Sequence, residues 1–326
     1  MTEPGSDGGA QQAKNRWIRT EVPASPGAEI QISREEDVAA VRAFWGDLGL
    51  PGLIDIHTHF LPPNIQRAVW AVFDGAGPKV GREWPIRYRS SLTDRVGLLR
   101  AFGVRRFPSH PYAHKPGVAA YLNQWSRELA LEVPEVLHSA TFFPEPEAAS
   151  YVEELVADGV RIFKIHLQVG EFLADDPMLD PVWGTLQDSA TPVVVHAGSG
   201  PVGNAFTGPD SVARLLARFP RLRLIIAHLG APEYDDFVAM AERYDGVHLD
   251  TTMVFTDFFE AEAPYPRAIL PRLRALQTKV LLGTDFPTIP YPYAHQLEAL
   301  ARLGLGEDWL RDVCWHNARA LLGIME

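Results

Sequence analysis

The sequence predicts a (β/α)8 barrel that has an N-terminal extension and an insertion after its first strand. Eight short apolar or β-branched runs recur along the chain, and seven of them are joined by segments of helical length. Runs such as VVV and LIIA are apolar without alternation, which is typical of strands buried on both faces of a parallel sheet. An open doubly wound sheet is the alternative, and eight βα units make it the less favoured fold.

The N-terminal region divides at about residue 30. Residues 1–30 are rich in Gly, Pro, Ser and Gln, which predicts a flexible segment, so the barrel domain is expected over residues 31–326. Ser33 and Glu36 have the spacing of a capping box. They predict a short helix, EEDVAAVRAFWGDLG, on the outside of the domain.

The predicted strands are short runs bounded by turn or polar residues. They are GLIDIH (52–57), VRRFPS (104–109), EVLHSATFF (135–143), RIFKIHL (161–167), PVVVHAG (192–198), LRLIIAHLG (222–230), GVHLDTT (246–252) and KVLLGTDF (279–286). Several of the helical segments between them end at Gly or before Pro. The segment 61–103 is longer and less regular, and it predicts a lid-like insertion after strand 1. Two closing helices are expected after strand 8.

Composition narrows the classes of partner. The formal net charge of −11 argues against nucleic acid and anionic membrane surfaces, because both favour basic patches. A small-molecule substrate is therefore expected. The one cysteine, Cys314, allows no intramolecular disulfide and fits a reducing compartment. The absence of a signal-peptide pattern and of a long apolar run predicts a cytoplasmic protein.

Polar side chains lie at the ends of the predicted strands, where barrels of this kind carry their sites. His57 and His59 are two residues apart and project to one face, as do Lys164 and His166. The full set is His57, His59, Lys164, His166, His196, His228 and Asp285, with His110 in the loop after strand 2.

Imidazole and carboxylate groups are good ligands for Zn²⁺ and similar ions. His57, His59, His196 and Asp285 meet the count of a catalytic metal site with an open position. Such a metal lowers the pKa of its water toward ~7. Asp285 is then expected to move the proton, and His228 to polarise a carbonyl or hold the oxyanion.

Four motifs carry a family resemblance: D-I-H-T-H, V-V-H-A-G, I-A-H-L-G and G-T-D-F-P, in this order at strand ends. They resemble the amidohydrolase superfamily, and within it the amidohydrolase-2 group, which includes aminocarboxymuconate-semialdehyde decarboxylase and pyrone-dicarboxylate lactonase. The resemblance covers roughly residues 50–323, including the terminal H-N-A-R-A-L-L-G. It implies a metal-dependent TIM-barrel enzyme in which His57, His59, His196 and Asp285 hold one metal, with His228 as a catalytic or metal-adjacent histidine. A homodimer is implied by the resemblance alone.

Lys164 leaves the metal count open. In binuclear members of the superfamily a carboxylated lysine on strand 4 bridges two ions, and F-K-I-H resembles its setting. We favour one ion, with Lys164, His166 and His110 facing the substrate, which suits a carboxylate. Zinc is the expected metal, and manganese and iron remain open.

Three functions are compatible with these residues. The first is hydrolysis of a small ester, lactone or amide by metal-activated water, and the alternative is non-oxidative decarboxylation of an aromatic or unsaturated acid. The third is a barrel that has lost catalysis, which the complete ligand set argues against. A TatD-like nuclease is disfavoured, because Lys164 stands where an acidic ligand is expected.

Overall fold

A computed structural model describes residues 32–325 of the chain. The proposed flexible segment 1–30 lies outside the described residues. Within this range no helix is long and apolar enough to cross a membrane.

The strands confirm the predicted barrel. They are β1 (Leu53–Ile54), β2 (Val104–Pro108), β3 (Val136–Leu137), β4 (Ser139–Ala140), β5 (Ile162–His166), β6 (Val193–His196), β7 (Leu224–Ile226), β8 (Val247–Asp250) and β9 (Val280–Leu281). All pairings are parallel, in the orders β1-β2-β3 and β4-β5-β6-β7-β8-β9. Only His138 separates β3 from β4 within this part of the chain, so the two occupy one of eight barrel positions.

The first and last strands are joined just beyond their regular segments. The amide of Ile56 donates to the carbonyl of Leu282 at 2.9 Å, and the amide of His59 donates to Phe286 at 2.7 Å. Thr58 and Phe286 form a parallel bridge. Both strands are shorter than predicted, because the chain leaves regular ladder geometry where the polar residues begin.

The helices follow the predicted alternation. They are α1 (Arg34–Asp47), α2 (Pro63–Asp74), α3 (Gly77–Val80), α4 (Leu92–Phe102), α5 (Ala119–Glu132), α6 (Ala148–Ala157), α7 (Leu167–Gly170), α8 (Asp180–Ser189), α9 (Pro209–Arg218), α10 (Tyr234–Arg243), α11 (Asp257–Glu260), α12 (Leu270–Ala275), α13 (Tyr293–Arg302), α14 (Glu307–Arg311) and α15 (Asn317–Leu321). A π-helical turn, Asp312–His316, joins α14 to α15. The capping box predicted at Ser33 and Glu36 is present.

The insertion after β1 consists of α2, α3, a loop and α4, and it packs on the loops that follow β8 and β9. The indole of Trp84 donates to the carbonyl of Thr288 at 2.8 Å, and the amide of Arg87 donates to Ile289 at 3.0 Å. Arg82 lies over the ring of Phe258, with 3.4 Å between the guanidinium carbon and the ring centroid. The insertion therefore lies on the carboxyl-terminal side of the barrel.

Helix α1 is tied to the barrel through Asp37, which is fully buried. Its carboxylate accepts from the hydroxyl of Tyr88 and from the amides of Tyr293 (3.3 Å) and Ala294 (3.0 Å). These amides are the first two of α13, so the carboxylate caps a helix N-terminus. Burial raises the pKa of Asp37, and the three donors act in the opposite direction.

Replacing Asp37 with Ala leaves three buried donors without an acceptor, so we expect the free energy of unfolding to fall by about 1–3 kcal/mol. Urea denaturation followed by circular dichroism measures it. The matched control is Asp47→Ala on the exposed side of the same helix, which should change stability by less than about 0.5 kcal/mol. Equal effects of the two substitutions would contradict the capping role.

Candidate metal centre

A cluster of polar side chains lies at the carboxyl-terminal ends of the strands. His57 and His59 follow β1, His228 follows β7 and Asp285 follows β9. Ligand atoms of His57, His228 and Asp285 all lie within 4.8 Å of one another. All four side chains are buried.

Three histidines of the cluster are oriented in the same way, because each has an acceptor at its Nδ1. The bonds run from His57 to a carboxylate oxygen of Asp250 (2.8 Å), from His59 to the carbonyl of His110 (3.1 Å) and from His228 to the carbonyl of Thr252 (3.0 Å). Carbonyl and carboxylate oxygens only accept, so the Nδ1 atoms carry the hydrogens in the neutral rings. The Nε2 lone pairs are left for the site, which is how metal-binding histidines are held.

Asp285 directs its carboxylate at these lone pairs. Its Oδ1 lies 3.0 Å from His59 Nε2 and 3.6 Å from His57 Nε2. Two donors at 2.0–2.1 Å from one tetrahedral ion are about 3.4 Å apart, so both separations match ligands that share an ion. Buried lone pairs at this distance repel each other unless a cation or a proton lies between them.

The ionisation states suit a cation. Burial lowers the pKa of His57 and of His228, so both rings are neutral, as ligands must be. Burial alone would raise the pKa of Asp285. The contact with His59 Nε2 and the positive charge of Lys164 outweigh it and hold this pKa well below its usual range.

Lys164 on β5 faces the same lone pair of His57. Its ammonium is fully buried, and its Nζ donates to His57 Nε2 at 3.1 Å. Burial lowers the pKa of Lys164 to about 8, although the charges of Asp250 and Asp285 act in the opposite direction. A metal ion bound to this Nε2 displaces the lysine contact, because one lone pair serves one partner.

Asp250 at the end of β8 is a site residue that the sequence analysis did not identify. It is fully buried. Besides holding His57, it accepts through Oδ1 from the amides of His228 (2.9 Å) and Thr252 (3.1 Å). One carboxylate thus positions two histidines from different strands. The available signal was its place at the end of the run GVHLDTT, equivalent to that of the other strand-end residues.

His196 and His166 lie beside the cluster, and their rings stack at 3.9 Å with an interplanar angle of 11°. His196 Nε2 donates to the carbonyl of Gly200 at 3.4 Å. The ring centroid of His196 lies 4.8 Å from that of His228. Its assignment as a metal ligand, and that of His166 as a substrate contact, remain predictions.

His110 holds the backbone and one ring of the segment that carries His57 and His59. Its Nε2 donates to the carbonyl of Ile56 at 2.6 Å, its own carbonyl receives the bond from His59, and it is fully buried. These contacts orient strand 1. Contact with a substrate remains a prediction for this residue.

Aromatic side chains line the cluster. The ring of Tyr112 lies 5.5 Å from His59 and 5.4 Å from His166. Phe259 is parallel to His228, with an angle of 6° and 6.0 Å between centroids. Neither aromatic residue was indicated as a site residue by the sequence alone.

Three residues of the site have left-handed backbone conformations. The φ angles of His110, His228 and Asp285 are 43°, 55° and 71°. Such conformations are unfavourable for residues other than glycine and concentrate at functional sites. Together with the oriented lone pairs and the ionised carboxylate, they define a barrel with a candidate metal site.

The family comparison agrees with this geometry. A family model described as amidohydrolase, Amidohydro_2, matches residues 54–324. The chain therefore belongs to the amidohydrolase-2 family, and it is an enzyme of the amidohydrolase superfamily. No curated protein matches the chain.

Solved structures share the fold at low identity. An uncharacterised TIM-barrel protein of Bordetella bronchiseptica is 18% identical, with a TM-score of 0.67 over 83% of this chain and 98% of that one. The 5-carboxyvanillate decarboxylase of Sphingomonas paucimobilis is 17% identical, with a TM-score of 0.58 over 84% and 100%. A probable 2-pyrone-4,6-dicarboxylic acid hydrolase of Acinetobacter baumannii is 12% identical, with a TM-score of 0.54 over 84% and 100%.

Asp250→Ala removes the group that orients His57 and His228, so we expect zinc affinity to fall about 10–100-fold. Competition titration with a chromophoric chelator measures it, with circular dichroism to verify folding. Asp245→Ala, an exposed carboxylate just before β8, is the control and should bind like the wild type. Unchanged zinc affinity in a folded Asp250→Ala protein would show that Asp250 does not organise the site.

Proposed function

We propose that this enzyme hydrolyses a small, carboxylate-bearing ester, lactone or amide with the help of one divalent ion, most favourably Zn²⁺. The observation that carries the proposal is the approach of Asp285 Oδ1 to His59 Nε2 (3.0 Å) and His57 Nε2 (3.6 Å) beside the buried ammonium of Lys164. When bound, a divalent ion supplies Lewis acidity, which polarises a carbonyl and makes water acidic enough to react near neutral pH.

His57, His59 and Asp285 are the proposed ligands, and His196 remains the predicted fourth. His228 is placed next to them by its bonds to Asp250 and Thr252, with Nε2 directed into the site. From that position it can hold the oxygen on which negative charge develops.

Asp285 has a second proposed role as proton carrier. Its depressed pKa keeps the carboxylate ionised through the neutral range, so it is always available to accept a proton. The hydroxyl of Thr288 donates to its Oδ2 at 3.1 Å and fixes the orientation of the carboxyl group. The proton passes from the attacking water to Asp285 and then to the leaving group.

Lys164 is the proposed partner of a substrate carboxylate. Among the described residues it is a fully buried ammonium whose nearest partner, His57, is uncharged. An anionic substrate group would neutralise it more favourably than a neutral imidazole does.

A second candidate is decarboxylation of an aromatic or unsaturated acid, and the aromatic walls favour it. Tyr112 and Phe259 present flat faces next to His59 and His228, which suits a planar substrate. A 5-carboxyvanillate decarboxylase from Novosphingobium aromaticivorans, 13% identical with a TM-score of 0.59 over 85% of this chain and 97% of that one, was solved with manganese and a nitrobenzoic acid.

Asp285→Asn keeps the shape but removes the charge and the basic oxygen, so we expect kcat/KM to fall by about 10²–10⁴-fold. The measurement is hydrolysis of a panel of pyrone carboxylates, lactones and esters by zinc- or manganese-loaded protein. Asp245→Asn serves as the control and should keep wild-type rates. Wild-type turnover in Asp285→Asn would contradict the mechanism. Release of CO₂ from hydroxybenzoates, without hydrolysis of any panel member, would favour the second candidate.

Lys164→Met separates the two roles considered for the lysine. If Lys164 faces substrate, metal content stays at one equivalent, and KM for carboxylate substrates rises at least about tenfold, as expected for the loss of a buried ion pair. Elemental analysis measures the metal content, and steady-state kinetics measures KM. A fall from two metal equivalents to one would instead identify Lys164 as a bridging ligand.

A further inference from the structure

Arg95 on α4 places a guanidinium inside the insertion without a carboxylate partner. The residue is 3% exposed, and no carboxylate among residues 32–325 forms an ion pair with it. Burial lowers the pKa of Arg95 to about 10, which leaves it charged at neutral pH. Arginine is almost never fully buried unless it is paired, because removing a charge from water is strongly unfavourable.

The observed partners of Arg95 are neutral. Its guanidinium donates to Gln66 Oε1 at 2.8 Å and to the carbonyl of Ser91 at 3.4 Å. Its central carbon lies 5.3 Å from the ring centroid of Phe60 and 5.4 Å from that of Trp70. Aromatic faces offset part of the desolvation of a cation, but they supply no negative charge.

The neighbouring Arg89 shows the usual arrangement. Its guanidinium also lies 5.4 Å from the ring of Trp70, and it forms a two-point ion pair with Asp74, at 2.5 and 3.1 Å. The exposed arginine of this pair thus has a counter-ion, whereas the buried one has none among the described residues.

Two further donors beside Arg95 lack an acceptor. Gln66 Nε2 and Trp70 Nε1 are buried and make no hydrogen bond. The two residues are one turn apart on α2, so they share a face of the helix. The orientation of the Gln66 amide is fixed, because a flip would place its N–H groups against the guanidinium. Three donor side chains, one of them charged, are therefore neighbours in the insertion, and no carboxylate among the described residues accepts from them.

We propose that a small monovalent anion, chloride or a carboxylate of the size of formate, binds between α2 and α4 with Arg95, Gln66 Nε2 and Trp70 Nε1 as donors. One negative charge neutralises the guanidinium, and the two N–H groups gain acceptors. The site is separate from the metal centre. It borders the segment that follows β1 through Phe60, so it connects the insertion to the barrel. It is independent of the reaction catalysed.

Thermal unfolding of the full chain at constant ionic strength tests the site, with chloride or formate exchanged for gluconate, which is too bulky for it. An anion that binds the folded state raises Tm, and about 1–3 °C is expected for a chain of this size. The increase should occur in wild type and in Arg67→Met, which removes an exposed charge from α2. It should be absent in Arg95→Met and reduced in Trp70→Phe. Equal increments in all four proteins would overturn the proposal, and the formate arm separates a carboxylate from a halide site.

Gln66→Glu tests the same site without deleting the cation, in case Arg95→Met does not fold. The substitution puts a carboxylate beside the guanidinium and removes the unpaired amide donor. We expect a higher Tm than wild type in gluconate and no further increase with chloride. Asn64→Asp, which adds the same charge at an exposed position of α2, should keep the chloride response. A lower Tm of Gln66→Glu in gluconate, or an unchanged chloride response, would overturn the proposal.

Discussion

Asp250 links the two halves of the metal centre through three hydrogen bonds. It accepts from the ring of His57 and from the amides of His228 and Thr252. Because the carboxylate fixes which nitrogen of His57 carries hydrogen, it also fixes the direction of the lone pair that faces Asp285. The bond from His228 to Thr252 depends on the same turn, since Asp250 holds the amides of both residues.

A second network of hydrogen bonds connects the metal centre to the N-terminal helix α1. Asp55 accepts from the amide of His57 (3.1 Å) and from the hydroxyls of Thr284 (2.6 Å) and Tyr293 (2.9 Å). The amide of Tyr293 in turn donates to Asp37 on α1. Strand 1, the closing helix α13 and the helix before the barrel are thus connected through buried carboxylates, whose loss would leave donors unpaired.

Local sequence patterns were sufficient for much of the fold. Apolar runs located the strand positions, and the two-residue spacing placed His57 and His59 on one face, because both signals act over a few residues. The break at His138 and the short β1 and β9 were not predicted, since they depend on how neighbouring strands pair. The role of Asp250 required strands far apart in the sequence to meet, as it lies 193 positions from His57.

The orientation of the histidine rings could not be predicted from the sequence either. The spacing of His196 and His110 indicates their strand ends, but not that one donates to Gly200 and the other to Ile56. Such choices depend on loop conformation, including the left-handed backbone of His110. For Asp285, the sequence motif was sufficient to predict a ligand. Its short distance to His59 could be seen only in the folded chain.

The central claim is that the Nε2 atoms of His57 and His59 and the carboxylate of Asp285 share one divalent ion. The most direct measurement is anomalous diffraction at the zinc edge from crystals of zinc-reconstituted protein. The account predicts one peak at full occupancy, about 2.0–2.2 Å from these three ligand atoms. A second peak bridged by Lys164, or a zinc ion bound away from Asp285, would contradict it.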